Sequence, residues 1–285
     1  GTSALHVSIE LAGVIPGDEV ITQALTFIAT CNAISYSDGI PIFIDVDLDT
    51  MGMSPRALKI FLEANAEKKD DHTYNKFTGR RIRACIPMHT FGLPCRIEEI
   101  ISICDYWGIM VIEDAAESLG SYVNDKHTGT FGDIGALSFN GNKIITTGGG
   151  GALITNDTDL AKRAKHITTT AKVPHSYEFV HDTIAYNYRM PNLNAAIGCA
   201  QMESLDEFLL IKASISDKWR EFFEFHSIKF FREIRDSKSN YWLNAIASES
   251  RSKRDDFLEY TNNHGVMTRP IWKLMSELEM FKSCQ

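Results

Sequence analysis

Residues Asp133 to Asn156 read DIGALSFNGNKIITTGGGGALITN. The spacing predicts a short buried strand over Ile134 to Phe139, ended by Asn140 and Gly141. Lys143 follows at once, then two β-branched pairs, then four consecutive glycines, Gly148 to Gly151, and a second strand over Ala152 to Thr155. Two apolar strands thus flank a loop that presents one lysine, and the glycines let backbone pass close to whatever that lysine holds. On its own the stretch reads more simply as a glycine-rich hairpin with a solvated surface lysine, since most lysines are solvated. The rest of the chain reverses that reading.

Upstream, strands and helices alternate at short spacing. Strands are expected over Glu19 to Ala24, Pro41 to Val46, Ile82 to Met88 and Ile109 to Glu113. Helices are expected over Leu5 to Ala12 with Thr2 or Ser3 as cap, over Leu25 to Tyr36, from Pro55 with Ser54 as N-cap, and over Ile97 to Trp107. Several of these strands are apolar on both faces, which marks an α/β domain with a mostly parallel, buried central sheet flanked by helices. Residues 63–81 are strongly charged and read as a lengthened surface loop. In a parallel sheet, ligands gather at the carboxyl ends of the strands. His89, Asp114 and Lys143 all lie just past an expected strand end. Phe27 and Thr2-Ser3 lie at helix starts, which face the same edge.

Downstream, a helix is expected over Asp157 to Thr169 and a long one from Asn192 to about Glu224. The first part of the long helix is rich in small residues (Ala195, Ala196, Gly198, Ala200), which suits close packing. Short strands over Ile228 to Phe231, Tyr241 to Ala247 and Val266 to Thr268 then surround a helix over Lys253 to Asn263. This divides the chain into a large domain over 1–215 and a smaller, incomplete α+β domain over 216–285.

Composition narrows the function. A chain of 285 residues with net charge −8 argues against general nucleic-acid binding. The six cysteines show no CxxC pair and no metal-ligand spacing, so reduced thiols in a cytoplasmic protein without a structural metal are expected. No apolar run is long enough to span a membrane.

An amine on a flexible stem is what an imine link to an aldehyde requires. If Lys143 plays that part with pyridoxal phosphate (PLP), three more groups are needed: a phosphate cup, an acid for the ring nitrogen and a flat partner for the ring face. Thr2, Ser3 and Ser138 can bind phosphate through hydroxyls and helix N–H groups. Asp114 ends a buried strand, where an unpaired carboxylate is costly and a pyridinium N–H would offset the cost. Phe27 could stack on the ring, and Glu117 could reach its phenolic oxygen. Each has a plain alternative: Asp114 as a helix N-cap, Phe27 as core, Glu117 as a solvated first-turn acid, Ser138 as a strand hydroxyl. Their joint order is more specific than any one of them.

In order, GTSALH, GDEVITQALTFIAT, PIFIDVD, MHTFG, VIEDAAESLG, GDIGALSFNGNKIITTGGGGALITND and YNYRMPNLNAAIG resemble the DegT/DnrJ/StrS sugar aminotransferases, PLP enzymes of fold type I. The likeness spans essentially the whole chain. SFNGNKIITTGGGG and MTRPIWKLM are similar to the branch that aminates C4 of a UDP-linked 4-keto-6-deoxy N-acetylhexosamine in bacillosamine and legionaminic-acid pathways. The resemblance implies Lys143 as Schiff-base lysine, Asp114 on the pyridine nitrogen and Phe27 at the stacking position. It implies Thr2, Ser3 and Ser138 as phosphate contacts, and Glu117 near the phenolic oxygen. Asn187 matches a residue that reaches the cofactor phosphate of the neighbouring subunit, in a homodimer with shared active sites. His89 matches a motif position near the site, and Arg269, Trp272 and Lys273 match the region of sugar-nucleotide contact, with core packing as the alternative for Trp272. Glutamate is the implied amino donor and a nucleotide-sugar the acceptor. The family pattern also implies further residues before GTSALH and after MFKSCQ. Three rivals are weaker. The related sugar dehydratases carry histidine at the lysine position. A regulatory protein on a PLP fold need not keep Lys143, Asp114 and the phosphate residues together. A dinucleotide-binding domain would show GxGxxG after the first strand.

Overall fold

The computed structural model describes residues 1–285. Six strands form the central sheet: β1 (Glu19–Gln23), β2 (Ile40–Ile44), β5 (Ile82–Ile86), β6 (Met110–Asp114), β9 (Ile134–Ser138) and β10 (Gly151–Ile154). β3 (Ala66–Lys69) and β4 (His72–Asn75) form a separate hairpin, and β7 (Tyr122–Val123) and β8 (Lys126–His127) a short ladder joined by Ser237–Lys238. The order across the main sheet is β10-β9-β6-β5-β1-β2, and every pairing is parallel except β10 with β9.

Alternate residues of these strands face two different cores, as the two-residue side-chain period demands. Val20, Ile86 and Ile112 join the core under α1 (Thr2–Leu11), α2 (Ile28–Tyr36) and α5 (Thr158–Thr168). Their neighbours Ile21, Cys85 and Val111 join the core under α3 (Pro55–Asn65) and α4 (Ile97–Trp107). The result is a three-layer α/β architecture, and burial on both faces is why the strands read as continuous apolar runs. Helix starts follow their caps: Ser54 Oγ accepts from the Ala57 N–H ahead of Pro55, and Asp157 accepts from the N–H groups of Asp159 and Leu160.

Three local expectations are corrected. Residues 63–81 are not an open loop, because β3 and β4 pair antiparallel across Asp70-Asp71. Both aspartates have positive φ (49° and 61°), the conformation of a tight two-residue hairpin turn that Asp tolerates. The long helix is two helices, α6 (Asn192–Glu203) and α7 (Leu205–Phe225), separated at Ser204 with φ −104° and ψ 5°. α6 buries none of its residues within the chain, and close approach is seen at Gly198, where a Cβ would lie 3.0 Å from Thr147 Cγ2. Of the expected C-terminal strands only Lys229–Phe230 and Ile246–Ala247 pair. Residues 239–242 instead take no strand conformation, with Ser239, Asn240 and Trp242 buried, and 266–268 take none either. α8 (Arg251–Asn263) lies between them, capped by Ser250. The expected division at 215/216 falls inside α7. No helix is long and apolar enough to cross a membrane.

Candidate active site

Asp114 is the last residue of β6. It pairs with Ala136 of β9 and is bridged on its other side by Met88, just beyond β5. Strands on both sides therefore fix its backbone. The carboxylate, 2% exposed, accepts from Thr30 Oγ1 at 2.6 Å and from the Ala116 N–H at 3.2 Å. Both donors are neutral. A buried carboxylate served in this way suits a partner that brings an N–H and a positive charge together.

Ser138 ends β9 opposite Gly151 of β10 and faces the start of α1. The first-turn N–H groups of a helix have no acceptor within it, and here Gly1 supplies no side-chain cap. A Cβ on Gly1 would lie 3.0 Å from Ser138 Cβ, and one on Gly151 would lie 2.5 Å from the Leu137 carbonyl and 2.8 Å from Gly1 N. The last of the four glycines thus serves the close approach of α1 to the sheet edge. Unpaired helix amides beside the hydroxyls of Thr2, Ser3 and Ser138 are the donor set that a phosphate would need.

Lys143 lies in the loop after β9, turned by its N–H bond to the Asn140 carbonyl at 3.1 Å. Its Nζ is 3.2 Å from Glu117 Oε1 and 3.7 Å from the ring centroid of Trp242. Burial pushes the Glu117 carboxyl up to about 7, although Lys143 and the Phe91 N–H, 2.9 Å from Oε2, both favour its charged form. Phe91 itself holds φ 58°, an uncommon conformation for a bulky residue, and sits between Trp242 and Trp272.

One cavity of 2390 Å³ brings Thr2, Ser3, Phe27 and Ser138 together with Asp114, Glu117 and Lys143. Arg269 and Trp272 also line it, and Trp272 packs 5.7 Å from Phe27 and 5.0 Å from Phe91. Cavity lining and packing are therefore both true of Trp272. Lys273 is exposed and outside the lining. A lysine, a phosphate cradle, a buried acid with neutral donors and an aromatic face in one cavity fit pyridoxal phosphate.

His89 does not join them. It is fully buried, with both ring nitrogens engaged: Nε2–H donates to Glu113 at 3.0 Å and Nδ1 accepts from the Cys95 N–H at 3.2 Å. The motif position near the site is thus enclosed, outside the cavity lining, and its ring is held by Glu113 and the Cys95 N–H. Glu113 also accepts from the N–H groups of Gly129, Phe131 and Gly132 at 2.6–2.7 Å. Burial pushes its carboxyl up, but His89 and these donors outweigh that and hold it below the usual range. Asn187 also lies outside the cavity, exposed and bridged to Thr169. Thr30 and Trp242 were not singled out from sequence. Thr30 lies one helical turn past Phe27, a spacing that could have suggested a shared edge, whereas nothing local to SNYWLN indicates where the Trp242 ring faces.

The family model for DegT/DnrJ/EryC1/StrS aminotransferases matches residues 1–285. The chain is 37% identical to EpsN of Bacillus subtilis strain 168, which bears the name of a pyridoxal phosphate-dependent aminotransferase, over 99% of this chain and 70% of that protein. It is 36% identical to the GDP-perosamine synthase of Escherichia coli O157:H7, over 99% of this chain and 72% of that protein. Among solved structures, a DegT DnrJ EryC1 StrS aminotransferase from Brucella abortus superposes with TM-score 0.89 at 26% identity, covering 100% of this chain and 73% of that one. With the cavity fitted to the cofactor and the match running end to end, this chain belongs to the DegT/DnrJ/EryC1/StrS family of PLP-dependent sugar aminotransferases.

Proposed function

We propose that this chain moves an amino group from glutamate to the carbonyl of a nucleotide-linked keto-sugar, with Lys143 as its reactive amine. The observation that carries the reading is Lys143 Nζ beside Glu117, in the cavity that also holds Asp114, Ser138 and the start of α1. PLP, when bound, supplies an electron sink for the bond broken beside the amino group. Asp114 would hold its ring nitrogen, Phe27 its ring face, and Thr2, Ser3 and Ser138 its phosphate. A single amine on one side of a planar reactant can take a proton from one carbon and return it to another, so Lys143 serves both halves of the exchange. Glu117, whose carboxyl burial pushes up to about 7, lies 3.2 Å from Nζ, close enough to exchange a proton with the reacting groups.

For the acceptor we propose a UDP-linked 4-keto-6-deoxy N-acetylhexosamine, supported by SFNGNKIITTGGGG and MTRPIWKLM, with Arg269 and Trp272 toward the nucleotide-sugar. The name of the Escherichia coli relative favours a GDP-linked sugar as the second reading. Residues 1–215 would then hold the cofactor while 216–285 close over the sugar, in a cytoplasmic homodimer whose partner subunit is met by Asn187. The protein is incubated with PLP, glutamate and both classes of 4-keto-sugar nucleotide. Amination of the UDP-N-acetyl substrate is expected, and amination of the GDP-sugar alone overturns the UDP assignment. Borohydride reduction and peptide mapping are expected to find the pyridoxyl label on Lys143, and label on another lysine overturns its role. For the dimer, Asn187→Ala chains are mixed with Lys143→Ala chains. A shared site leaves one pocket of the mixed dimer intact, so activity partly returns, and no recovery despite heterodimers refutes the sharing.

A further inference from the structure

Lys143 sits on a loop, and its four rotatable side-chain bonds leave the direction of Nζ unspecified by its own turn. We infer that Trp242 is a positioning residue for Lys143, and that Asn240 ties Trp242 and Glu117 to one rigid junction. The inference rests on the reading of Lys143 as the reactive amine.

Trp242 acts at two points. Its ring face lies 3.7 Å from Nζ, where the π-system attracts an ammonium. Its Nε1–H donates to the carbonyl of Asn142, the residue before Lys143, at 2.6 Å. One side chain therefore holds both the loop backbone and the lysine head. Tryptophan suits this because a flat π face and an N–H donor share one ring system.

The indole is fixed from behind. The Trp242 N–H donates to Asn240 Oδ1 at 2.9 Å, and the Trp242 carbonyl accepts from Lys212 Nζ at 3.2 Å. Asn240 is fully buried, and its Nδ2 donates to the carbonyls of Glu117 at 2.8 Å and Leu119 at 2.9 Å. The same amide thus holds the backbone of the acid that pairs with Nζ, across 123 positions of sequence. The Asn240 N–H is taken by Ser121 Oγ at 3.0 Å, and Ser121 in turn donates to the Gly92 carbonyl at 2.7 Å. Gly92 cannot carry a side chain here: a Cβ would lie 1.9 Å from Asn240 Oδ1, and φ is +89°. The backbones that carry both neighbours of Nζ are therefore tied to one buried side chain.

The test uses the PLP-loaded enzyme with glutamate and a keto-sugar nucleotide that the wild type aminates. Trp242→Leu removes the ring face and the N–H, while Trp242→Phe keeps a ring face. A misplaced reacting group can cost about 10²-fold, so Trp242→Leu is expected to lower kcat by about that factor with KM for both substrates within about threefold. Trp242→Phe is expected to recover part of the loss. A raised KM with unchanged kcat would make Trp242 a substrate contact and overturn the proposal, as would equal losses in the two variants. A second readout needs neither turnover nor cofactor. In the ¹⁵N-indole-labelled cofactor-free protein, Lys143→Met is expected to shift the Trp242 Nε1–H resonance, and an unmoved resonance overturns the contact even if the Trp242 variants do not fold. Borohydride label retained on Lys143 in Trp242→Leu keeps the two questions apart. Label on a different lysine in the wild type removes the premise itself.

Discussion

The sheet edge and the C-terminal segment both wall the cavity, but they are held in different ways. On the sheet side, α1 buries six of its ten residues and every residue of β1 is buried. On the other side, α6 and α8 bury none, and α7 buries only Ser216 and Phe223 among its 21 residues. Asp114 and Ser138 therefore inherit their positions from strands packed on both faces. Trp242 and Trp272 pack in a smaller cluster with Leu25, Met51, Phe91 and Ile145, to which Asn240 adds directed hydrogen bonds. A site built across such a boundary has a rigid half and a half that one substitution can loosen.

The largest expected effect is chemical and belongs to the loop between the two halves. On the proposed role of Lys143 as the reactive amine, Lys143→Ala should lower transamination by more than the roughly 10²–10⁴-fold typical of a general acid–base group, because a covalent link would be lost as well. An alanine variant turning over at near wild-type rate would place the reactive amine elsewhere. Next comes the sheet core. Ile86 is fully buried under α1, and Ile86→Ala should cost about 2–5 kcal/mol in urea unfolding. A loss under about 1 kcal/mol would mean that this half is looser than its burial implies.

A pH experiment probes the boundary itself. Burial raises Glu117 to about 7, so between the ordinary glutamate range and about 7 the folded chain holds a proton that the unfolded chain has released. Stability from this group therefore falls as pH rises through that window. Glu117→Gln removes the titration, and the shift in urea midpoint between pH 5 and pH 7.5 should shrink relative to wild type. Equal shifts would show that Glu117 is not protonated in the folded state. The smallest effect is expected on α6: Leu193 is 75% exposed, and Leu193→Ala should change the stability of the isolated chain by no more than about 0.5 kcal/mol. A loss as large as that at Ile86 would mean that α6 is covered in solution, which would sharpen the case for the dimer.

The strand ends were legible in the sequence because the signals are local. The apolar runs at Ile82 and Ile109, the cap at Ser54-Pro55 and the Asn140-Gly141 break each read within a few residues, and the strands and helices form within one or two residues of those signals. The hairpin at residues 66–75 was not legible, because β3 carries mostly charged residues and the tight turn uses two aspartates rather than glycine. The break at Ser204 escaped for a related reason: one residue leaving helical geometry does not disturb a 3.6-residue pattern on either side of it.

By itself, then, the sequence determined the layer order, the parallel sheet and the residues that stand at its carboxyl edge, because two- and 3.6-residue periodicities are properties of neighbouring residues. Tertiary structure alone decided which of those residues share a cavity. His89, one residue beyond the Met88 that bridges Asp114, turns inward to Glu113 and is closed off, while Asp114 opens to the cavity. Trp242, about 100 positions from Lys143, meets its Nζ only after Asn240 has tied the C-terminal segment to the turn that carries Glu117. The physical reason is that side-chain direction and long-range hydrogen bonding are set by packing between elements, and no periodicity in the chain records it.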